Sequence, residues 1–147
     1  MSPYPVDLSS RQQQLIDDLR IIEDPQERLG AVVDHARRGK SLSDQDRTES
    51  NRVQGCQSHV WLTAQRVGET WFYSSDSDSP LVKGLVRLIC DFFSGETASH
   101  ILANADACDP VALLDFSRNL SPTRINGLAA VRRRLRELVV ASAPGST

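Results

Sequence analysis

Apolar residues return at helical spacing along the N-terminal part of the chain. Leu15, Ile16, Leu19 and Ile22 share one helical face. Ser9 stands before them as an N-cap, with Gln12 three residues later. The run Asp24-Pro25-Gln26-Glu27 predicts a second start: Asp24 caps, Pro25 fits the first helical position, and Glu27 completes the capping-box spacing. Leu29, Val32 and Val33 form the next apolar stripe, and Gly39 marks its end. Residues 9–38 therefore predict a helical hairpin of antiparallel neighbours.

Residues 41–50 are polar without periodicity and read as a loop. The period then shortens to two. Val60, Leu62 and Ala64 alternate with Trp61, Thr63 and Gln65, the pattern of a half-buried strand. Gly68-Glu69 suits a two-residue type II′ turn, and the chain returns through Trp71, Phe72 and Tyr73. Residues 51–54 predict a short third strand on the N-terminal side of this hairpin. Cys56 then falls in the tight connection Gly55-Cys56-Gln57-Ser58.

The polar run 74–79 leads to Pro80, again at a first helical position. Leu81, Val82, Leu85, Val86, Leu88, Ile89, Phe92 and Phe93 give this helix the broadest apolar face of the chain, as expected of the most buried one. Gly95 ends it. Residues 98–104 and 110–116 predict short helices. A last helix starts at Ser121-Pro122, with Leu128, Val131, Leu135 and Leu138 inward and Arg132, Arg133, Arg134 and Arg136 mostly outward. Residues 142–147 form a small polar tail. Two helices, a small antiparallel sheet of about three strands and several further helices predict an α+β fold, with the C-terminal helices on one face of the sheet. The 147 residues are expected to form one domain.

Composition narrows the function classes. A net charge of -2 gives no whole-molecule attraction to nucleic acid or an anionic membrane. No apolar run is long enough to span a bilayer, and the N-terminus carries neither a signal-peptide pattern nor an acid-free transit pattern. The 3 cysteines, Cys56, Cys90 and Cys108, are odd in number and irregularly spaced, which disfavours a disulfide framework and points to a reducing cytoplasm.

Cys56 is the strongest chemical candidate. A thiol at a glycine-marked turn can be presented to another protein, and turn N–H groups near Gly55 and Gln57 can favour its thiolate. A thiolate so placed can attack the terminal sulfur of a donor persulfide by the logic of thiol–disulfide exchange. From position alone, a partly buried structural cysteine is an equal reading.

Three ordered segments bear on that choice. Gly55-Cys56-Gln57-Ser58 with Val60-Trp61 resembles the cysteine loop of the SufE family. Asp76-Ser77-Asp78 followed by Leu81-Val82-Lys83-Gly84-Leu85 resembles its D-S-D…V-K-G-L segment. Leu120-Ser121-Pro122-Thr123-Arg124 with Gly127-Leu128 resembles its L-[ST]-P-[ST]-R-x-x-G-L segment. The resemblance implies a fold like that of IscU-type scaffolds and a sulfur carrier. Cys56 would hold the persulfide delivered by a SufS-type cysteine desulfurase, stimulate that enzyme by unloading it, and pass sulfur to an iron–sulfur scaffold complex. Pyridoxal phosphate would belong to the desulfurase, leaving this chain without a cofactor of its own. The SufE and CsdE branches are not separated by these motifs, and a homodimer is a further expected form.

Gly55, Gln57, Ser58, Asp76, Asp78 and Arg124 fall on matched positions and, with His59, which departs from the pattern, become candidates for supporting the loop or docking the partner. Local roles stand beside these: Asp78 or Ser79 can cap the helix at Pro80, Ser121 the last helix, and Arg124 can pair with a first-turn carboxylate. His59, where the family often has glutamine, is either a proton relay or a solvent-facing strand residue. The alternative function is a zinc or cluster scaffold built from Cys56 and His59 with Cys90 and Cys108, which must converge for it to hold. A cysteine hydrolase lacks its local signature, and the arginines of residues 132–136 read as a solvated helix face, with docking on an acidic partner as their other reading.

Overall fold

The computed structural model describes residues 7–141. The order is α1 (Ser10–Arg20), α2 (Pro25–Arg38), β1 (Val60–Val67), β2 (Thr70–Ser77), α3 (Pro80–Phe93), β3 (Glu96–Thr97), α4 (Ala98–Asn104), α5 (Pro110–Leu113) and α6 (Pro122–Ala141). Short 3-10 turns occupy Glu49–Asn51 and Ser117–Asn119. This is the expected α+β arrangement. The tail at residues 142–147 lies outside the described residues.

The caps are chemical. Ser9 and Gln12 form a reciprocal capping box at α1. Asp24 accepts the Glu27 amide at 3.0 Å, with Pro25 following as expected. Ser79, rather than Asp78, caps α3, and Ser121 accepts the Arg124 amide at 3.2 Å in the first turn of α6.

The hairpin has the expected register, from Val60 opposite Ser77 to Val67 opposite Thr70. Gly68 has φ +63 whereas Glu69 has no positive φ, as a type II′ turn demands. The third strand is not at residues 51–54. It is β3, paired to β2 through Trp71–Glu96 and Thr70–Thr97. The N-terminal segment makes one isolated bridge, Arg52 to Trp61, beside a Val53 N–H to Val60 carbonyl bond of 2.8 Å. The pairing stops there because the chain turns at Gly55, whose φ of +92 lies in the left-handed region. Residues 110–116 are also helical only to Leu113. Asp115 has φ +64, which breaks the helix and lets Leu114 and Phe116 both enter the core.

α3 is the centre of the molecule. Leu85, Val86, Ile89, Phe92 and Phe93 are fully buried between the sheet and α2. Gly84 allows the close approach of α2, since a Cβ there would meet the Val33 backbone at 2.8 Å. Each large apolar side chain so buried contributes about 1.5–3 kcal/mol. Tyr73 of β2 donates its hydroxyl to the Leu135 carbonyl at 2.9 Å and so ties the sheet to α6. The outer sheet face, with Phe72 and Gln65, remains exposed. Among the described residues, no helix is long and apolar enough to cross a membrane.

Candidate functional site

The cysteine turn rests on α6. Left-handed Gly55 reverses the chain between the Arg52–Trp61 bridge and β1, and Cys56 follows half-buried. Its Sγ donates to the Gly127 carbonyl at 3.3 Å. Small residues on α6 make this contact accessible. A Cβ at Gly127 would stand 3.5 Å from the sulfur, and one at Gly55 would stand 3.3 Å from the Ala130 Cβ. Bulk at either position would lift the turn.

Beneath the sulfur is a cavity of about 70 Å³. Val82, Leu85 and Val86 from α3 and Leu128 and Val131 from α6 supply its apolar wall. Gln57, Ser58, Thr123 and Arg124 form its polar mouth. The cavity is therefore an apolar shelter for the thiol, walled in part by α3. Val60 does not line it, and α6 contributes a wall that periodicity alone did not assign.

Electrostatics favours the thiol form of Cys56. Burial pushes the Cys56 thiol up, and the nearby Arg133 and Arg52 guanidiniums pull it down by less. The resting sulfur is a protonated thiol that donates to a carbonyl, with no turn N–H directed at it among the described hydrogen bonds.

The other candidates separate into distinct groups. Asp78 holds the start of β1: its Oδ1 accepts the His59 N–H at 3.1 Å, and its own N–H reaches the His59 carbonyl at 3.3 Å. The His59 ring sits 3.4 Å from Asp78 Oδ2 and edge-on to Trp61, away from the cavity lining. Asp76 is buried and does not touch the cysteine turn. It accepts Arg47 Nε at 2.9 Å, the Ser77 amide at 2.8 Å, and faces Lys83 Nζ at 3.5 Å. It thereby joins the polar loop before the sheet to the start of α3. Arg124 lies exposed at the cavity mouth without a carboxylate partner among the described residues.

Arg47, Arg52 and Gly127 were not singled out as site residues by sequence reasoning, and Arg133 was named only within the arginine run of the last helix. Gly127 lay inside a matched motif, so the signal was present. Arg52 stands four residues before Cys56 in the chain, whereas Arg133 comes from α6 and only the fold brings it near the thiol.

Cys90 and Cys108 are buried in the core, each with its thiol pushed up to about 12, chiefly by burial. They do not approach Cys56 as ligands. Among the described residues, no group of three or more His, Cys, Asp or Glu side chains is placed to hold a metal ion.

Fold and site together define an α+β protein that presents one half-buried cysteine on a turn above an apolar cavity. This chain belongs to the SufE family: the family model described as an Fe-S metabolism associated domain matches residues 13–139. An uncharacterized SufE-like protein of Rhizobium etli is 34% identical over 128 residues, covering 84% of this chain and 86% of the relative. A second, from Rhizobium meliloti, is 32% identical over 127 residues, covering 84% and 90%. A SufE-like protein 1 of Arabidopsis thaliana, named chloroplastic/mitochondrial, is 32% identical across 83% of this chain and 33% of its own length. The solution structure of a hypothetical protein from Thermus thermophilus shares the fold, with a TM-score of 0.68 and 19% identity over 92% of this chain and 98% of that one.

Proposed function

We propose that this chain accepts sulfur on Cys56 from a SufS-type cysteine desulfurase, stimulates that enzyme by unloading it, and delivers the sulfur for iron–sulfur cluster assembly. The observation that carries this reading is the Cys56 turn itself: one thiol, held on small residues of α6, above an apolar-walled cavity beside two cations.

The step is a transpersulfuration. Cys56 loses its proton and its thiolate attacks the terminal sulfur of the donor persulfide. A new S–S bond forms at Cys56, the donor S–S bond breaks, and the donor leaves as a thiolate that takes up the proton. The chain's own contribution is positional. The turn offers the sulfur to the donor, and the apolar wall keeps water and oxidants from the terminal sulfur afterwards. Pyridoxal phosphate chemistry belongs to the desulfurase. Three free thiols fit a reducing compartment, and we place the protein in the cytoplasm. A zinc or cluster scaffold has less support, because Cys56 lacks converging ligands among the described residues.

The test is turnover of a SufS-type desulfurase on free cysteine with and without this chain. The intact chain is expected to raise the rate and Cys56→Ser to leave it at the basal level. Equal stimulation by both would contradict the proposal.

A further inference from the structure

We propose that the groove beside the cysteine turn, between residues 49–54 and the α6 face carrying Arg133 and Arg134, docks an acidic segment of the sulfur-donating protein. The inference rests on the acceptor reading of Cys56 and names the surface by which the donor reaches it.

One face of α6 carries two structures in succession. Gly127 lies under Cys56 and Ala130 under Gly55, as a shelf of small residues. The same face then continues with Arg133, Arg134 and Glu137. These line an open groove of about 440 Å³ whose other wall includes Glu49 and Arg52. Val53 and Gln54 also line it, so an occupant touches the residues that lead into Cys56.

The charges in this groove are incompletely matched. Arg133 has no carboxylate partner among the described residues. Arg52 meets Glu49 at 3.8 Å and Arg134 meets Glu137 at 3.7 Å, both glutamates largely exposed. Exposed pairs this long contribute little and exchange readily for another carboxylate. Arg134 Nε is buried with no acceptor. Three guanidiniums thus converge on a chain of net charge -2, so the patch opposes the molecule's overall sign. Guanidiniums bind carboxylates bidentately, which fits an acidic peptide segment with side chains on both walls. Docking there brings the donor against the cysteine turn without filling the apolar cavity on its other side.

The experiment measures affinity, not chemistry. The Cys56→Ser chain is titrated with a SufS-type cysteine desulfurase over a range of salt. Relative to it, Arg133→Glu and Arg52→Glu are expected to weaken binding by about tenfold each and to flatten the salt dependence, as reversed charges at a complementary interface do. Arg133→Lys, which keeps the charge but not the planar fork, should lose less than Arg133→Glu, and Arg118→Glu, the same charge change on an exposed turn outside the groove, should leave the affinity unchanged. Thermal unfolding checks that each variant is folded. Affinity indifferent to residues 52 and 133, loss equal to that of Arg118→Glu, or no complex with the parent chain overturns the proposal. Loading of wild-type Cys56, followed separately by intact mass, distinguishes the two failures. Sulfur that arrives while affinity ignores the groove refutes the docking surface alone, whereas no sulfur on Cys56 removes the acceptor reading and the docking proposal with it.

Discussion

Cys56 is held between opposing influences. Burial favours the thiol, Arg133 and Arg52 favour the thiolate, and only the thiol can donate to the Gly127 carbonyl. Alkylation of Cys56 should therefore follow a pH profile displaced above that of an ordinary thiol. Arg133→Gln removes the larger cationic pull, so the profile should move further up; a move down would contradict this electrostatic account. Asp78 acts through the backbone, clasping His59 at the start of β1. Asp78→Ala should speed alkylation of Cys56 several-fold by loosening the turn, an effect unrelated to thiol charge because it should appear across the pH range. An unchanged rate would reduce Asp78 to a local turn residue. Much of this was legible beforehand. Gly55, Cys56, Gln57 and Ser58 stood out by residue type and motif, and Asp78 was a candidate. Asp76 was grouped with it by motif, but β2 ends at Ser77, between the two, and their side chains reach different partners: Asp76 to Arg47 and Lys83, Asp78 to His59.

At the scale of elements, helix ends and the helical periods were readable because caps and apolar stripes are local signals. Ser9, Asp24 and Pro80 marked real starts. The third strand was misplaced for a physical reason. Glu96 and Thr97 are too few to show alternation, and they form a strand only because Gly95, with φ +86, turns the chain back to β2 and donates to the Trp71 carbonyl at 2.7 Å. The junction of α1 and α2 was equally hidden. Buried Arg28 donates to the carbonyls of Leu19, Ile22, Glu23 and Leu114, so one guanidinium closes the C-terminal end of α1 and fastens α5 to it. Arg28→Ala would strand these acceptors and is expected to cost about 3 kcal/mol in denaturant unfolding, with little recovery in Arg28→Lys, which lacks the planar fork. A loss near that of an exposed arginine would show that the carbonyls find water instead.

For the whole molecule, the core and the site are one construction. α3 buries its apolar face under the sheet and ends that face in the cavity wall below Cys56, while α6 supplies both the opposite wall and the shelf for the turn. The two core thiols give this packing a pH signature. Cys90 and Cys108 are pushed from 9.0 to about 12, so the folded state keeps protons that the unfolded state releases. Stability from these groups is full below pH 9 and is lost as the pH rises toward 12. Urea midpoints should fall across that window, less steeply in Cys90→Ala and Cys108→Ala; identical slopes would assign the loss to other groups. The central claim is chemical, and it is tested most directly by incubating the chain with a SufS-type desulfurase and free cysteine, then measuring intact mass with peptide mapping. The account predicts a gain of one sulfur atom on Cys56, removed by reductant and absent in Cys56→Ser. No added sulfur, or sulfur on Cys90 or Cys108 instead, would contradict it.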